Sequence, residues 1–265
     1  MLWSLVSLGA SFLAFGLLAR FFPCNPDQPR FFNREMVDDA LYWAFAILVY
    51  GDATTILVKL SVGGDPATLK TVTAGYGWAA GLPLWAQVAL ILVVTDFGQY
   101  WMHRLLHGRA LWPFHAVHHS SRNVDWTTTY RMHPVNWLLY IASLAVLTRL
   151  MGFSPAAFAA IAPINLVVGG LVHANLNWTF GPFRYVIASP VFHRWHHSLD
   201  PAARDRNFAP TFPILDLVFG TFHMPKGRLP HGFGAPETPD HFLGQMIHPF
   251  TSIAARFGRK TPAAA

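Results

Sequence analysis

Residues 82–107 read LPLWAQVALILVVTDFGQYWMHRLLH, an apolar run that ends in two histidines four positions apart. About 20 apolar residues are long enough to cross a bilayer as a helix. Because residues four apart share one helix face, His103 and His107 are expected to project together beyond the apolar part. Asp96 and Tyr100 fall on the same stripe. The segment therefore predicts a transmembrane helix that presents histidines at one membrane surface.

Ten of the 14 histidines lie between residues 103 and 197, most of them in clusters. After His103 and His107 come His115-x-x-His118-His119, then the single residues His133 and His173, then His193-x-x-His196-His197. On a helix, each triplet presents several imidazoles toward one point. Packed imidazolium rings repel, so the pattern needs something that holds the rings neutral and convergent, and a metal does so. The number of histidines exceeds what one four-coordinate zinc requires and predicts two ions.

Other metal chemistries are excluded by residue types. The single cysteine excludes a cysteine-ligated zinc ribbon, a self-contained iron–sulfur cluster and an internal disulfide. The glutamates, Glu35 and Glu237, are remote from the clusters, which excludes the Glu-x-x-His plan of soluble di-iron bundles. A His-Glu-x-x-His protease motif is absent. Nitrogen and oxygen remain as ligand atoms.

The composition favours an integral membrane protein, since 53% of residues are hydrophobic and 12% are charged. The candidate spans are Leu2–Phe22, Ala40–Leu60, Leu82–Trp101, Val135–Met151 and Pro155–Val172. The last two are short and form either full spans or a hairpin that enters one leaflet. Asp52 lies in the second span, where an ionised carboxylate costs roughly 2.5–3.5 kcal/mol, so it is expected to face another helix or an interface. The predicted fold is an all-α integral membrane protein with about four transmembrane helices and a cytoplasmic histidine-rich helical cap.

One domain is expected, without a separable second unit. Its predicted parts are the N-terminal transmembrane helices at 1–101, a histidine-rich catalytic region at 102–250 with a helical hairpin at 135–172, and a disordered tail at 251–265. The Pro- and Gly-rich sequence from Pro225 onward predicts loop structure.

The net charge of +6 is explained by membrane orientation. With the first helix starting outside, most arginines lie on the inner side and only Lys59, Lys70 and Arg149 lie outside, as the positive-inside rule requires. A nucleic-acid recognition motif is lacking, so no nucleic-acid partner is expected. The N-terminus lacks the basic region of a cleaved signal peptide and is interpreted as an anchor. The expected location is the bacterial inner membrane, or the endoplasmic reticulum of a eukaryote, with the histidines on the cytoplasmic side.

The histidine motifs resemble those of the fatty acid hydroxylase/sterol desaturase family of histidine-rich membrane di-iron enzymes. The matching residues are Asp96-x-x-x-Tyr100-Trp101-x-His103-Arg104-x-x-His107, His115-x-x-His118-His119, Arg131-x-His133-Pro134, His173-x-Asn175, His193-x-x-His196-His197, Asn207-Phe208, Asp216 and Phe219-Gly220-Thr221. The resemblance covers about half of the chain. Asn136 departs from it, because many relatives carry Glu there, so the role of that glutamate does not transfer. The three residues between His103 and His107 favour the hydroxylases over acyl-CoA desaturases, which usually have four.

The resemblance implies an O₂-dependent di-iron enzyme that hydroxylates a C–H bond of a lipid. A lipid or sterol desaturase with the same metal site is the first alternative, and a metal transporter is a second, although histidines gathered at one surface argue against a path through the membrane. Two iron ions are the implied cofactors, and zinc can replace them in a purified sample. The implied partners are a lipid, O₂ and an external electron donor of ferredoxin or cytochrome b5 type with its reductase.

The residues implied as metal ligands are His103, His107, His115, His118, His119, His133, His173, His193, His196 and His197, with His133 either a ligand or a supporting group. Asp96 is expected to accept a ring N–H and so orient a ligand. Asn175 and Asn207 are further candidates for such support.

Overall fold

The structure, a computed structural model, describes residues 2–29, 32–50, 56, 63–75 and 77–258. Its helices are α1 (Leu2–Phe21), α2 (Glu35–Phe45), α3 (Pro66–Ala74), α4 (Leu84–Leu106), α5 (Trp112–His119), α6 (Pro134–Met151), α7 (Pro155–His173), α8 (Pro190–His196), α9 (Ile214–Val218) and α10 (Phe242–Gly258). A π-helical turn, Ala46–Tyr50, continues α2. Within the described ranges there is no β-strand, only an isolated bridge between Ser198 and Phe233. The all-α prediction is confirmed.

Long apolar helices occur where spans were predicted. Among the described residues, α7 is the one helix that is both long and apolar enough to cross a membrane by length and composition. α1, α4 and α6 coincide with three further predicted spans. Residues 51–55 and 57–60 of the predicted span Ala40–Leu60, which include Asp52, lie outside the described residues. The number of spans therefore remains a prediction.

Two of the long helices, α1 and α7, end at the same level. α7 packs against α1 and α4, and α4 also packs against α6. The ring of Phe15 in α1 lies over Gly170 in α7, where an added Cβ would come 2.8 Å from the ring. Beyond these helix ends the backbone N–H of Asn177 donates to the Phe22 carbonyl over 2.9 Å. The C-terminal ends of α1 and α7 therefore meet, on the side where the histidines lie.

The opposite end of this bundle is the turn between α6 and α7. Ser154 caps α7 by accepting the N–H of Ala157, and Pro155 occupies the first helical position, as is typical of helix starts. Gly77 donates its N–H to the Gly152 carbonyl over 3.2 Å. An added Cβ at Gly77 would overlap the Met151 carbonyl, so only glycine allows this approach. The segment that follows α3 is thus fixed at the end remote from the histidines.

The C-terminal helix α10 was not predicted. The expectation of loop from Pro225 is wrong for Phe242–Gly258, and the expectation of disorder is wrong for residues 251–258. Residues 259–265 lie outside the described residues. Pro249 and Gly244 have low helix propensity, so the sequence does not indicate the helix. Pro249 is buried, however, and the fully buried Gln245 donates from Nε2 to the Ser120 hydroxyl over 3.0 Å. Packing of this face against α5 stabilises a helix that propensity alone disfavours.

Candidate metal centre

Nine of the ten predicted histidines form two adjacent groups. The five-histidine group comprises His103, His107, His115, His119 and His196, and the four-histidine group comprises His118, His173, His193 and His197. Within each group the candidate ligand nitrogens lie within 4.8 Å of one another. All nine side chains are buried except His107, which is partly exposed. Seven of them lie in the helices α4, α5, α7 and α8. The other two, His107 and His197, directly follow the ends of α4 and α8.

Helical spacing decides which group each ring joins. The pairs spaced by four, His103 with His107 and His115 with His119, remain in one group, as residues on one helix face should. His118, spaced by three from His115, joins the other group. The triplet in α8 divides in the same way, with His196 separated from its neighbours. The prediction that each triplet faces a single point is corrected: each triplet supplies both groups.

Backbone carbonyls fix the orientation of four rings. The Nδ1 atoms of His103, His118, His173 and His196 lie 2.8, 3.0, 2.8 and 2.7 Å from the carbonyl oxygens of Phe208, Arg131, Gly169 and Arg206, respectively. A carbonyl oxygen only accepts, so each Nδ1 carries the proton. In a neutral ring the lone pair is then on Nε2, the tautomer that is typical of metal-ligating histidines.

Two side chains orient further rings. The Nδ1–H of His115 donates to Asn136 Oδ1 over 2.7 Å, and Asn136 is fully buried. The Nδ1–H of His107 donates to Asp205 Oδ1 over 3.1 Å. The imidazole lowers the pKa of the Asp205 carboxyl through this hydrogen bond. Both rings are thereby held with Nε2 available as a ligand atom.

The lone pairs fixed in this way face each other at short distance. His103 Nε2 lies 3.0 Å from His115 Nε2, and His118 Nε2 lies 3.2 Å from His173 Nε2. Two lone pairs at this distance repel unless a proton or a cation lies between them. Burial and the neighbouring imidazoles lower the pKa values of His115 and His118 well below the usual value, which disfavours the proton. A metal cation is the remaining partner.

The spacing of the rings suits nitrogen atoms that share one metal ion. Two nitrogens bound at right angles, each about 2.1 Å from an ion, lie about 3.0 Å apart, against about 3.4 Å for a tetrahedral pair. The observed Nε2–Nε2 distances of 2.9–3.2 Å are close to or between these two values. Within the described part of the chain, the buried Nε2 atoms of His107, His119 and His196 have no hydrogen-bond partner. The donor set therefore fits two transition-metal ions with imidazole ligands.

Residues 206–208 present the two carbonyls that hold His196 and His103. Between them, fully buried Asn207 has a left-handed backbone with φ of 57°. Its Nδ2 donates to the carbonyls of Phe192 and His223 over 2.8 and 2.7 Å, and its Oδ1 accepts the His223 N–H over 2.7 Å. The expectation that Asn207 touches a ligand ring is wrong. Its side chain instead fixes the loop in which the Arg206 and Phe208 carbonyls accept from the rings.

Asp96 supports the site by the same indirect route. It contacts no ring, because its carboxylate accepts the backbone N–H groups of Thr211 and Phe212 over 2.7 and 3.0 Å. Asp216 accepts the N–H of Phe208 over 2.8 Å, and burial raises the pKa of its carboxyl. The prediction that Asp96 orients a ring directly is therefore corrected: two buried carboxylates anchor the loop whose Phe208 carbonyl does so.

Two other predicted residues lie away from the metal groups. Asn175 makes two hydrogen bonds with the backbone of Asn25. Its Oδ1 accepts the Asn25 N–H over 2.8 Å, and its Nδ2 donates to the Asn25 carbonyl over 3.0 Å. His133 belongs to neither group: its Nε2 donates to the Met246 carbonyl over 3.2 Å and its Nδ1 accepts the Val135 N–H. Both ring nitrogens are occupied, so His133 is removed from the ligand set.

Most of the oxygen atoms that accept the ring N–H groups could not be predicted from the sequence. Asp205 has no motif around it, although an acid eight residues after the last histidine cluster was visible as a candidate partner. Backbone carbonyls carry no signal in residue identity. Asn136 stood out only as a departure from the resembled pattern, and its contact with His115 explains what it does here.

Comparison with known proteins agrees with this geometry. A family model described as "Fatty acid hydroxylase" matches residues 88–221, which contain every histidine of both groups. The chain is 35% identical to the ornithine lipid hydroxylase OlsE of Rhizobium tropici over 69% of its own length and 55% of the relative. It is 32% identical to an alkylglycerol monooxygenase of Xenopus tropicalis over 88% of its own length and 59% of the relative.

A plant sterol enzyme is also similar. The methylsterol monooxygenase 2-2 of Arabidopsis thaliana is 30% identical over 53% of this chain and 55% of that protein. The chain thus spans a little over half the length of these relatives. No solved structure matches it.

Proposed function

The chain belongs to the fatty acid hydroxylase family, as its histidine motifs predicted, and on that premise we propose that it is a membrane-bound di-iron oxygenase that hydroxylates a C–H bond of a lipid. The nine histidines of the two groups are the proposed ligands of two iron ions. O₂ and electrons from an external donor of ferredoxin or cytochrome b5 type are the proposed co-reactants.

One observation carries the proposal: buried Nε2 lone pairs face each other in both groups. The pairs His103 with His115 and His118 with His173 are each 3.0–3.2 Å apart, with the Nδ1–H of each ring already donated elsewhere. An apo-protein of this geometry would leave several buried nitrogens uncompensated, which is costly. Two cations, one per group, remove that cost.

Bound iron would supply the activation of O₂ that oxidation of an unactivated C–H bond requires. The protein's part is to hold the rings and to exclude water. The carbonyls of Phe208 and Arg206 and the amide of Asn136 fix ring orientation before any ligand arrives. Burial of eight of the nine residues limits the contact of the rings with water.

The proposed setting is a multi-pass membrane protein with the metal centre on the cytoplasmic side. Side chains on α1, α4 and α7 that face outward are apolar and exposed, for example Leu17, Val93 and Val167 at 51%, 56% and 58%. Such contiguous exposed apolar surface suits lipid contact rather than water. Because α1 and α7 both end at the histidine level, a substrate in one leaflet lies close to the metal groups.

Hydroxylation is preferred to desaturation because the similar relatives are named as hydroxylases and monooxygenases. Their printed substrates differ, and a polar membrane lipid is the class that two of them share, an ornithine lipid and an alkylglycerol. We propose this class for the present chain.

The test is lipid analysis of cells that express the protein under ¹⁸O₂, with a His119→Ala variant as the inactive control. A lipid that gains one ¹⁸O atom only with the wild-type protein supports the hydroxylase, and a lipid that loses two hydrogens indicates the desaturase. Metal flux into proteoliposomes without O₂ consumption would indicate the transporter and overturn the proposal.

A further inference from the structure

A cavity of about 570 Å³ opens onto the five-histidine group. His107, His119 and His196 lie at its base, and their Nε2 atoms are the unpartnered nitrogens described above. This volume is in the range of small-molecule sites. The wall is formed by the turn before α5, the loop after α8, the residues around Pro236 and the end of α10.

Charged side chains of both signs surround the opening, and the three acids and Arg256 are engaged within the protein. Asp205 accepts from His107, Glu237 accepts from the Trp112 indole N–H over 2.8 Å, and Asp200 accepts from Arg228 over 3.2 Å. In contrast, the guanidinium groups of Arg109 and Arg204 make no hydrogen bond or salt bridge with the described residues. The cavity thus offers two guanidinium groups that have no hydrogen-bond partner among the described residues, and guanidinium groups match phosphate and carboxylate in shape and charge.

The helix that reaches the cavity with its last turn, α10, also carries exposed apolar side chains. Arg256, in the last turn of α10, lines the cavity and donates to the Arg109 carbonyl. Leu243, Ile247 and Phe250 lie on the exposed side of the same helix at 69%, 60% and 55% exposure. Phe250 is six residues from Arg256, about 9 Å along a helix. A ligand that is anionic at one end and apolar at the other would satisfy both surfaces.

We propose that this cavity binds the anionic phosphate or carboxylate of a lipid headgroup through Arg109 and Arg204, and so places the headgroup, not the middle of the acyl chain, next to the five-histidine group. The inference rests on the proposed lipid hydroxylase activity and adds which part of the lipid is oxidised. The C–H bonds nearest to His107 and His196 are then those of the headgroup and its linkage. An acidic electron-donor protein is the other anionic partner that could meet these arginines, and the experiments separate the two.

The first experiment measures binding to the full-length detergent-solubilised protein without reductant, using the fluorescence of Trp112 and its neighbours. The probes are lysophosphatidylglycerol, an uncharged monoacylglycerol with the same chain, and glycerol phosphate. The wild-type protein is expected to bind the anionic lysolipid about tenfold more tightly than the monoacylglycerol. The Arg109→Gln/Arg204→Gln double variant should lose this preference, and the matched control Arg34→Gln, at an exposed position outside the cavity, should keep it. Equal binding of the lysophosphatidylglycerol and the monoacylglycerol overturns the proposal. Glycerol phosphate that binds as tightly as the lysophosphatidylglycerol also overturns it.

The second experiment locates the oxygen. Tandem mass spectrometry of the ¹⁸O-labelled product should find the label in the headgroup or linkage fragment. Label within the released acyl chain overturns the headgroup inference and leaves the hydroxylase standing, whereas no labelled lipid at all contradicts the proposed function itself. If the double variant regains wild-type turnover when a small chemical reductant replaces the protein donor, the arginines dock the donor and the headgroup proposal is wrong.

Discussion

The ring planes of His118 and His119, adjacent in α5, meet at 89° with centroids 5.7 Å apart, and the two rings enter different groups. Each residue of an α-helix is rotated by about 100° from the one before it. Adjacent histidines therefore aim at two different points, while residues spaced by four aim at one. His196 and His197 repeat the relationship with ring planes again at 89°. The doubled histidine is thus the sequence element that supplies a candidate ligand to each of the two histidine groups.

Removal of one member of the pair should remove one ion. We expect wild-type protein to bind about two iron ions per chain and His118→Ala or His119→Ala to bind about one, because each variant loses a ligand of one group only. Plasma mass spectrometry of purified protein measures the ratio. His133→Ala, which alters a histidine outside both groups, should keep two ions. Two ions retained in His118→Ala, or an ion lost in His133→Ala, would contradict the assignment.

Asn136 should control the metal affinity of the five-histidine group through His115. In Asn136→Leu the Nδ1–H of His115 loses its acceptor in a buried environment, so the ring is no longer fixed in orientation. We expect metal affinity to fall by about 10–100-fold, the usual effect of losing such a partner. Asn136→Asp keeps an acceptor oxygen and should retain most of the affinity. Competition with a chelator during Co²⁺ titration provides the measurement, and equal affinities of the Leu and Asp variants would exclude this role.

The sequence identified the grouped histidines better than it identified the groups that orient them. Helical spacing and imidazole chemistry identified nine rings, because side chains determine both. The partners of His103, His118, His173 and His196 are main-chain carbonyls, whose positions depend on tertiary structure and not on residue type. Asp96 illustrates the same limit: it was expected to accept a ring N–H, but its carboxylate accepts backbone N–H groups across the fold.

Asn207 should be essential for the loop that holds His103 and His196. Asn207→Ala removes three buried hydrogen bonds. It also places alanine at a φ of 57°, a left-handed angle that asparagine tolerates better because its side chain can form local hydrogen bonds. We expect a loss of about 3 kcal/mol of stability, seen as a fall of several degrees in Tm. Asn207→Gly loses the same bonds but accepts the backbone angle, so it should be less destabilised by about 1 kcal/mol. Thermal unfolding of both variants in detergent tests this order, and a less stable Gly variant would show that strain is not involved.

The proposed orientation in the membrane can be tested with single cysteines. Cys24, the native cysteine, is only 3% exposed and should not react with a membrane-impermeant maleimide. Asp65, which caps α3, is exposed on the segment that leads to the turn between α6 and α7, remote from the metal groups. Arg228 is exposed on the loop that follows the histidine-bearing helices and pairs with Asp200 at the cavity. If the metal centre faces the cytoplasm, Asp65→Cys should react in intact spheroplasts, whereas Arg228→Cys should react only in inverted vesicles. Reaction of both positions from the same side would contradict a bundle that crosses the membrane between them, and the reverse pattern would place the metal centre outside.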